Sequence, residues 1–294
     1  MAVLGFNSLL EAEGILPKEV SMILHTTAIQ KLRRMLPYLA GERTDLFEAY
    51  NRVHGKQATA TLVNRPFAAT FVHTGDRKLL FVGLSEVSSE ERPVAEIYAD
   101  QRYDELEYAF GATDTSPRLH IPRGGTQTKF TMTPIDALQR FKGRIQIAVP
   151  AGRAYVRIAD NLDAEIVALS EESLLIPPAN DWDHFIVSGP MLRSLPASWA
   201  ARLREWRGIY LIVDESDGAR YVGSAYRVDN LLGRWQEHVA RDKGVTKELA
   251  KRDPVDFRFS ILQLLAPDAE PDAVIAMEHS WMERLHTREH GLNA

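Results

Sequence analysis

Gly208-Ile209-Tyr210-Leu211-Ile212-Val213-Asp214-Glu215-Ser216-Asp217-Gly218-Ala219-Arg220-Tyr221-Val222-Gly223-Ser224 decides how the C-terminal part of this chain folds. Gly208 to Val213 is a short apolar strand, Asp214 to Ala219 a polar turn, and Arg220 to Ser224 a second short strand. Asp214, Ser216, Asp217 and Gly218 are turn formers between β-rich runs, the pattern of a hairpin whose loop exceeds two residues. A helix is predicted next. Arg234 and His238 stand four residues apart on it, so both project from one face. A later helix is predicted over Asp272 to Leu285, with Glu278 among the apolar Ile275, Met277, Met282 and Leu285. A carboxylate beside a core-facing side is costly unless it is paired or bound to metal.

These pieces together resemble the GIY-YIG nuclease domain. GIY is intact, the second tripeptide is YVG, and Arg234-Trp235-Gln236-Glu237-His238 forms an RWxxH run. The strand Phe257-Arg258-Phe259-Ser260-Ile261-Leu262 follows, then Glu278 with Trp281 three residues on, and finally Gly291-Leu292-Asn293. The resemblance covers residues 207–294, a little under a third of the chain. It rests on the order and spacing of the pieces, since any one alone arises by chance.

The resemblance implies a small three-stranded antiparallel sheet flanked by helices, and a metal-dependent DNA endonuclease. It assigns Glu278 to a single divalent ion, Mg2+ or Mn2+. Arg234 falls to the scissile phosphate, which its rigid, permanently charged donor fork suits. Tyr210 falls to the attacking water as general base or relay, and Tyr221 to positioning the phosphate. His238 falls close to the tyrosine hydroxyl, where an imidazole can accept or pass a proton near neutrality. Which group takes the proton stays open. Gly208 and Gly223 belong to the supporting set, Gly223 letting backbone or substrate come close. Asn293 matches a buttressing asparagine, and Lys247 falls near the place where some members carry a second histidine or a lysine. The plain alternatives are a surface role for Glu278, an ion pair to Glu237 or Asp229 for Arg234, and strand-core roles for both tyrosines.

The whole chain has 294 residues, enough for two domains and a substantial core. Its apolar, aromatic and charged fractions are those of an ordinary globular protein. No apolar run approaches a membrane span, and Met1 to Leu10 lacks the basic flank of a secretory signal, so a cytoplasmic protein is expected. There is no cysteine, which excludes disulfides, thiolate zinc sites and cysteine nucleophiles. Net charge is -5, and acids also outnumber bases in residues 207–294. Phosphate affinity therefore has to come from local basic patches. The stretch from Thr115 to Arg157 is one, with Arg118, Arg123, Lys129, Arg140, Lys142 and Arg144 as candidate nucleic-acid contacts against the single acid Asp136. A solvated face whose acids lie elsewhere in the fold explains it equally well.

Residues 1–176 read as a separate α+β domain with a curved sheet, open or closed into a small barrel, and are assigned to target recognition. Helices are expected from the start to about residue 55, one running from Pro17 through Val20, Ile23, Leu24 and Ile29. Lys31, Arg33 and Arg34 then fall late in that helix, where cations suit the negative end, and Pro37 breaks or kinks it. Phe67 to His73, Leu79 to Val87 and Val94 to Ala99 read as strands. A helix is expected at Gln101 to Phe110, loop over residues 112–134, and strands at Arg144 to Val149, Arg153 to Ala159 and Ala164 to Leu169. Pro177-Pro178-Ala179-Asn180-Asp181 marks a boundary, and residues 177–206 a connector ending in a helix begun by Pro196.

The reading favoured is a restriction or defence endonuclease of duplex DNA, with plain and modified bases both open as targets. Because one such site cuts one strand, a homodimer is compatible with it. The alternatives are a nucleic-acid-binding module that does not cleave and a structure-specific repair nuclease.

Overall fold

A computed structural model describes residues 4–27, 29–75, 77–110, 124–162, 164–176, 182–226, 229–241 and 246–293. They form two units, Met1–Pro177 and Pro178–Ala294. Among the described residues no helix is long and apolar enough to cross a membrane.

The first unit is built on a seven-stranded sheet of β1 (Val20–His25), β2 (Phe67–Gly75), β3 (Lys78–Pro93), β4 (Thr126–Pro134), β5 (Ile145–Ala148), β6 (Val156–Ile158) and β7 (Ile166–Leu169). The order is β6-β1-β2-β3-β5-β7, with β4 on the distal half of β3. Among the described residues this path is open and closes no barrel. β1 and β2 run parallel, and the other pairs are antiparallel.

β1 corrects the expected helix from Pro17. All six of its residues are buried. Val20, Met22 and Leu24 enter one cluster with Phe6, Phe71 and Phe81, while Ile23 enters another with Leu62 and Phe130. A strand covered on both faces is a continuous apolar run, which periodicity cannot tell from a buried helix segment. Pro17 opens only a three-residue 3-10 turn. The helix that follows is Gln30–Gly41 and contains Pro37 rather than breaking there. Lys31, Arg33 and Arg34 therefore stand at its N-terminal end, not its C-terminal end, and the expected dipole match is lost. Arg33 Nε instead donates to the Thr27 carbonyl at 3.0 Å.

Three further expectations change. Ser88 to Pro93 continues β3 instead of separating strands, because the polar run Thr126–Pro134, expected as loop, pairs with it as β4. Val94–Ile97 is a helical turn rather than a strand. Lys56–Leu62 forms a helix where no element is expected from the sequence. The expected elements at Thr44–Tyr50, Phe67–Gly75, Arg102–Phe110 and Ile145–Ala148 are all present.

The second unit has an antiparallel sheet of β8 (Ile186–Ser188), β9 (Gly208–Asp214), β10 (Arg220–Ala225) and β11 (Phe257–Leu264), ordered β10-β9-β11-β8. It has four strands rather than three, because β8 pairs with β11. Residues 182–206 thus belong to this unit instead of merely linking it. Phe185 lies 5.0 Å from Trp199 and 5.9 Å from Trp206 between ring centroids, a packing that also holds the helix Ala197–Glu205.

Candidate active site

The hairpin register puts Tyr210 of β9 directly opposite Gly223 of β10. Side chains alternate along a strand, so Tyr221 and Gly223 share one face while Val222 and Ser224 share the other. On the first face lies the helix Asn230–Ala240, whose buried residues include Leu231, Trp235 and His238. The second face packs against the helix Pro271–Arg284, with Val222 in a cluster with Ile209, Val274 and Met282. Ile275, expected on the core side of that helix, is 41% exposed.

Tyr210 is completely buried, and its hydroxyl oxygen stands 2.7 Å from His238 Nε2. The Tyr221 ring is 5.4 Å from the His238 ring and 6.4 Å from that of Tyr210. A side chain at position 223 has no room here. A Cβ there would overlap the Tyr210 hydroxyl and approach Tyr221 Cε1 to 2.9 Å. Gly223 is thus the cavity into which the tyrosine hydroxyl fits. Gly208 meets a different need, since a Cβ there would lie 2.6 Å from the Gln263 carbonyl where β9 and β11 shift register.

Burial pushes the Tyr210 phenol well above its ordinary pKa, Tyr221 adds to the rise, and the Arg234 charge opposes it. Tyr221 is raised by burial too, again opposed by Arg234. His238 is pushed down to about 3, by burial first and by Arg234 second. The resting pair is therefore a neutral phenol and a neutral imidazole sharing one short hydrogen bond. Such a pair can pass a proton to or from the Tyr210 oxygen with Nε2 as the other station. Arg234 is half-buried, hydrogen-bonds both tyrosines, and pairs with Glu237 at 2.7 Å. The ion pair and the site role expected as alternatives thus coexist in one side chain.

Glu278 reaches the same group from the other face of β10. Its Oε2 accepts from Ser224 Oγ at 2.6 Å, and its negative charge raises both phenols. Ser224 was not singled out by the sequence reading. The signal available was its place in the alternation, one residue after Gly223. Asn293 Oδ1 accepts from the Val222 N–H at 2.8 Å, and its Nδ2 donates to the Val222 carbonyl at 2.7 Å. Lys247 is exposed on the short helix Lys247–Ala250, and no described hydrogen bond ties it to the cluster. Arg252, another residue the sequence reading passed over, clamps the hairpin turn through Asp214 at 2.7 Å and Asp217 at 2.9 Å.

Among the described residues no group of three or more His, Cys, Asp or Glu could hold a metal ion. A zinc site of the usual kind is thus not formed. A single carboxylate does suit magnesium, which keeps several waters and takes one or two carboxylates plus phosphate oxygens. Glu278 fits that donor set.

The basic stretch of the first unit is dispersed. Lys129 pairs with Glu90 at 3.3 Å and Arg140 with Glu13 at 2.7 Å. Arg144 donates to the Ser170 carbonyl at 2.9 Å and to the Arg140 carbonyl at 3.0 Å. Lys142 lines a cavity with Gln139 and Glu48. Arg118 and Arg123 lie outside the described residues.

No family model and no curated protein matches this chain. Two solved structures do. One is a point mutant of the catalytic domain of intron endonuclease I-TevI, 27% identical, covering 30% of this chain and 92% of that one, with a TM-score of 0.26. The other is the catalytic domain of homing endonuclease I-TevI, 26% identical, covering 29% of this chain and 95% of that one, with a TM-score of 0.25.

Proposed function

We propose that this chain is a metal-dependent DNA endonuclease whose second unit hydrolyses phosphodiester bonds. One observation carries the reading: a buried tyrosine hydroxyl, 2.7 Å from a neutral histidine, shares a permanently charged arginine with a second tyrosine. Packing alone has no need of this, since burying two phenols, an imidazole and a guanidinium together is costly. Hydrolysis of a phosphodiester has a use for each of them. Arg234 binds the anionic phosphate and offsets charge gathered in the transition state. Tyr221 donates to a phosphate oxygen and fixes its position. Tyr210 takes a proton from the attacking water while its own proton passes to His238 Nε2, so neither phenolate nor imidazolium has to exist beforehand. Glu278, held by Ser224, would carry Mg2+ or Mn2+, which supplies positive charge to the phosphate and lowers the pKa of bound water.

The biological role we favour is restriction or defence, with the first unit choosing the target. Double-strand cutting then calls for two copies acting together. A non-cleaving DNA-binding module is the second reading, favoured by the net acidity of residues 207–294 and by the ion-paired Lys129 and Arg140. The test incubates wild type and Glu278→Ala with plain, methylated, hydroxymethylated and glucosylated duplexes, with and without magnesium. Metal-dependent nicks or breaks by wild type alone are expected. Intact strands in every metal, with DNA retained on the protein, would favour the binding module instead.

A further inference from the structure

The first unit holds a cavity of about 370 Å3 that the cleavage chemistry does not use. It lies at the C-terminal end of β1, against the helices Thr44–Tyr50 and Arg102–Phe110 and the residue that leads into β6. Small-ligand pockets run from about 300 to 1,000 Å3, so this one suits a single ring system rather than a peptide.

Five rings line it, Tyr50, Tyr103, Tyr155, His25 and His54, beside one acid, Glu107. Flat faces of this kind favour a flat heteroaromatic guest, because every base offers a π face to stack on. Polar recognition comes from His54, which is 6% exposed. Its Nδ1 faces the Tyr155 hydroxyl at 3.2 Å, while its Nε2 is buried with no partner among the described residues. A buried polar atom left unmatched is uncommon enough to require an explanation. Here the atom belongs to a residue that lines the cavity, and a ligand atom would complete it. Burial, and the repulsion His25 would exert on a charged neighbour, push His54 down to about 3, against a hydrogen bond to the Asn51 backbone. A neutral imidazole offers one donor or one acceptor at each nitrogen, which matches the mixed edge of a base. The exposed lining residue Arg153 supplies the cation a phosphate would want.

We propose that this cavity receives one nucleobase, stacked on the tyrosine rings and hydrogen-bonded by His54 Nε2, with Arg153 at the neighbouring phosphate. The inference rests on reading the chain as a DNA endonuclease. It makes the cavity the place where one base of the target, turned out of the duplex, is checked. A free nucleoside carries the same ring chemistry, and the experiment separates the two sources.

The full chain carrying Glu278→Ala is titrated with 2-aminopurine duplexes, with and without methylated or hydroxymethylated cytosine beside the reporter. In a separate dialysis it meets the matching free nucleosides. A base leaving the stack brightens the reporter. Leu106→Trp, which fills the cavity, and His54→Phe, which keeps the ring but removes the nitrogen, lower that signal and the affinity at least tenfold. Arg153→Ala, at an exposed position, weakens duplex binding and flattens its salt dependence. Nucleoside binding lost in the same variants, without brightening on duplex, assigns the cavity to a free ligand. The idea is overturned if neither ligand binds, or if all three variants bind as the parent does. Cleavage by wild type is scored apart: a chain that binds bases here yet cuts nothing loses the nuclease reading and keeps this one.

Discussion

Each unit of this protein buries a histidine in the neutral state, His54 in the first and His238 in the second, both at about 3. Their surroundings differ. His238 commits Nε2 to the Tyr210 hydroxyl inside a closed aromatic group, whereas His54 keeps Nε2 for the cavity it lines. The same desolvation thus produces a fixed proton station in one unit and a ligand-reading edge in the other. Each also keeps one buried nitrogen without a partner among the described residues, His54 Nε2 and His238 Nδ1, and what separates them is that His54 lines the cavity.

The largest expected effect breaks the station in the second unit. Tyr210→Phe keeps the ring and its packing but removes the hydroxyl, and should lower kcat by about 10²–10⁴ with little change in KM. A kcat within twofold of wild type would reduce Tyr210 to a core residue. Next comes acid. Histidines that are neutral when folded and charge when unfolded stabilise above their unfolded pKa and lose that contribution as pH falls toward the folded value. The first unit has His25 at about 4 and His54 at about 3, with His73 also lowered by burial, against His238 in the second. From about pH 6.5 to 5 His25, His54 and His238 should each cost about 2 kcal/mol. The loss of unfolding free energy with falling pH, read from urea unfolding, should thus be larger for the first unit, and His54→Phe should remove part of that slope.

Gly223→Ala is a smaller perturbation. Its new methyl overlaps the Tyr210 hydroxyl, and overpacking of this kind costs about 1–3 kcal/mol. Thermal melting should report it in the second unit, with loss of cleavage because the hydroxyl is displaced from His238. Asn293→Ala should do least. It gives up two hydrogen bonds to Val222, at about 1 kcal/mol each, and the melting point should drop without the kcat loss of Tyr210→Phe.

The same contrast explains what could be read from the sequence. Tyr210, Tyr221, Arg234 and His238 occupy a short span, on a hairpin and the next helix. Strand alternation and the four-residue helix spacing suffice to bring them to one face. Glu278 came from the motif and not from periodicity, and the neighbouring Ile275 proved exposed. Ser224 was missed because nothing local marks a serine whose partner is 54 residues away. In the first unit the limitation is topological. β1 was misread because burial on both faces erases the alternation of a strand, and the parallel pairing with β2 that creates this burial spans three helices. The cavity draws residues from Leu24 to Tyr155, with no spacing rule linking them. The basic stretch showed the opposite failing: its charge was plain, but Glu13 and Glu90, its partners, lie far upstream.

β10 is the outer strand of its sheet, and bare backbone groups on such a strand are a template for another chain. The Asn293 carboxamide presents one acceptor and one donor as a peptide unit does, and it occupies both outward groups of Val222. Leu292 N–H donates to the Arg220 carbonyl at 2.8 Å beside it. Together they act as a surrogate strand, closing the tyrosine-bearing edge to β-augmentation. A second copy of this protein would therefore not pair with β10 by strand addition at Val222.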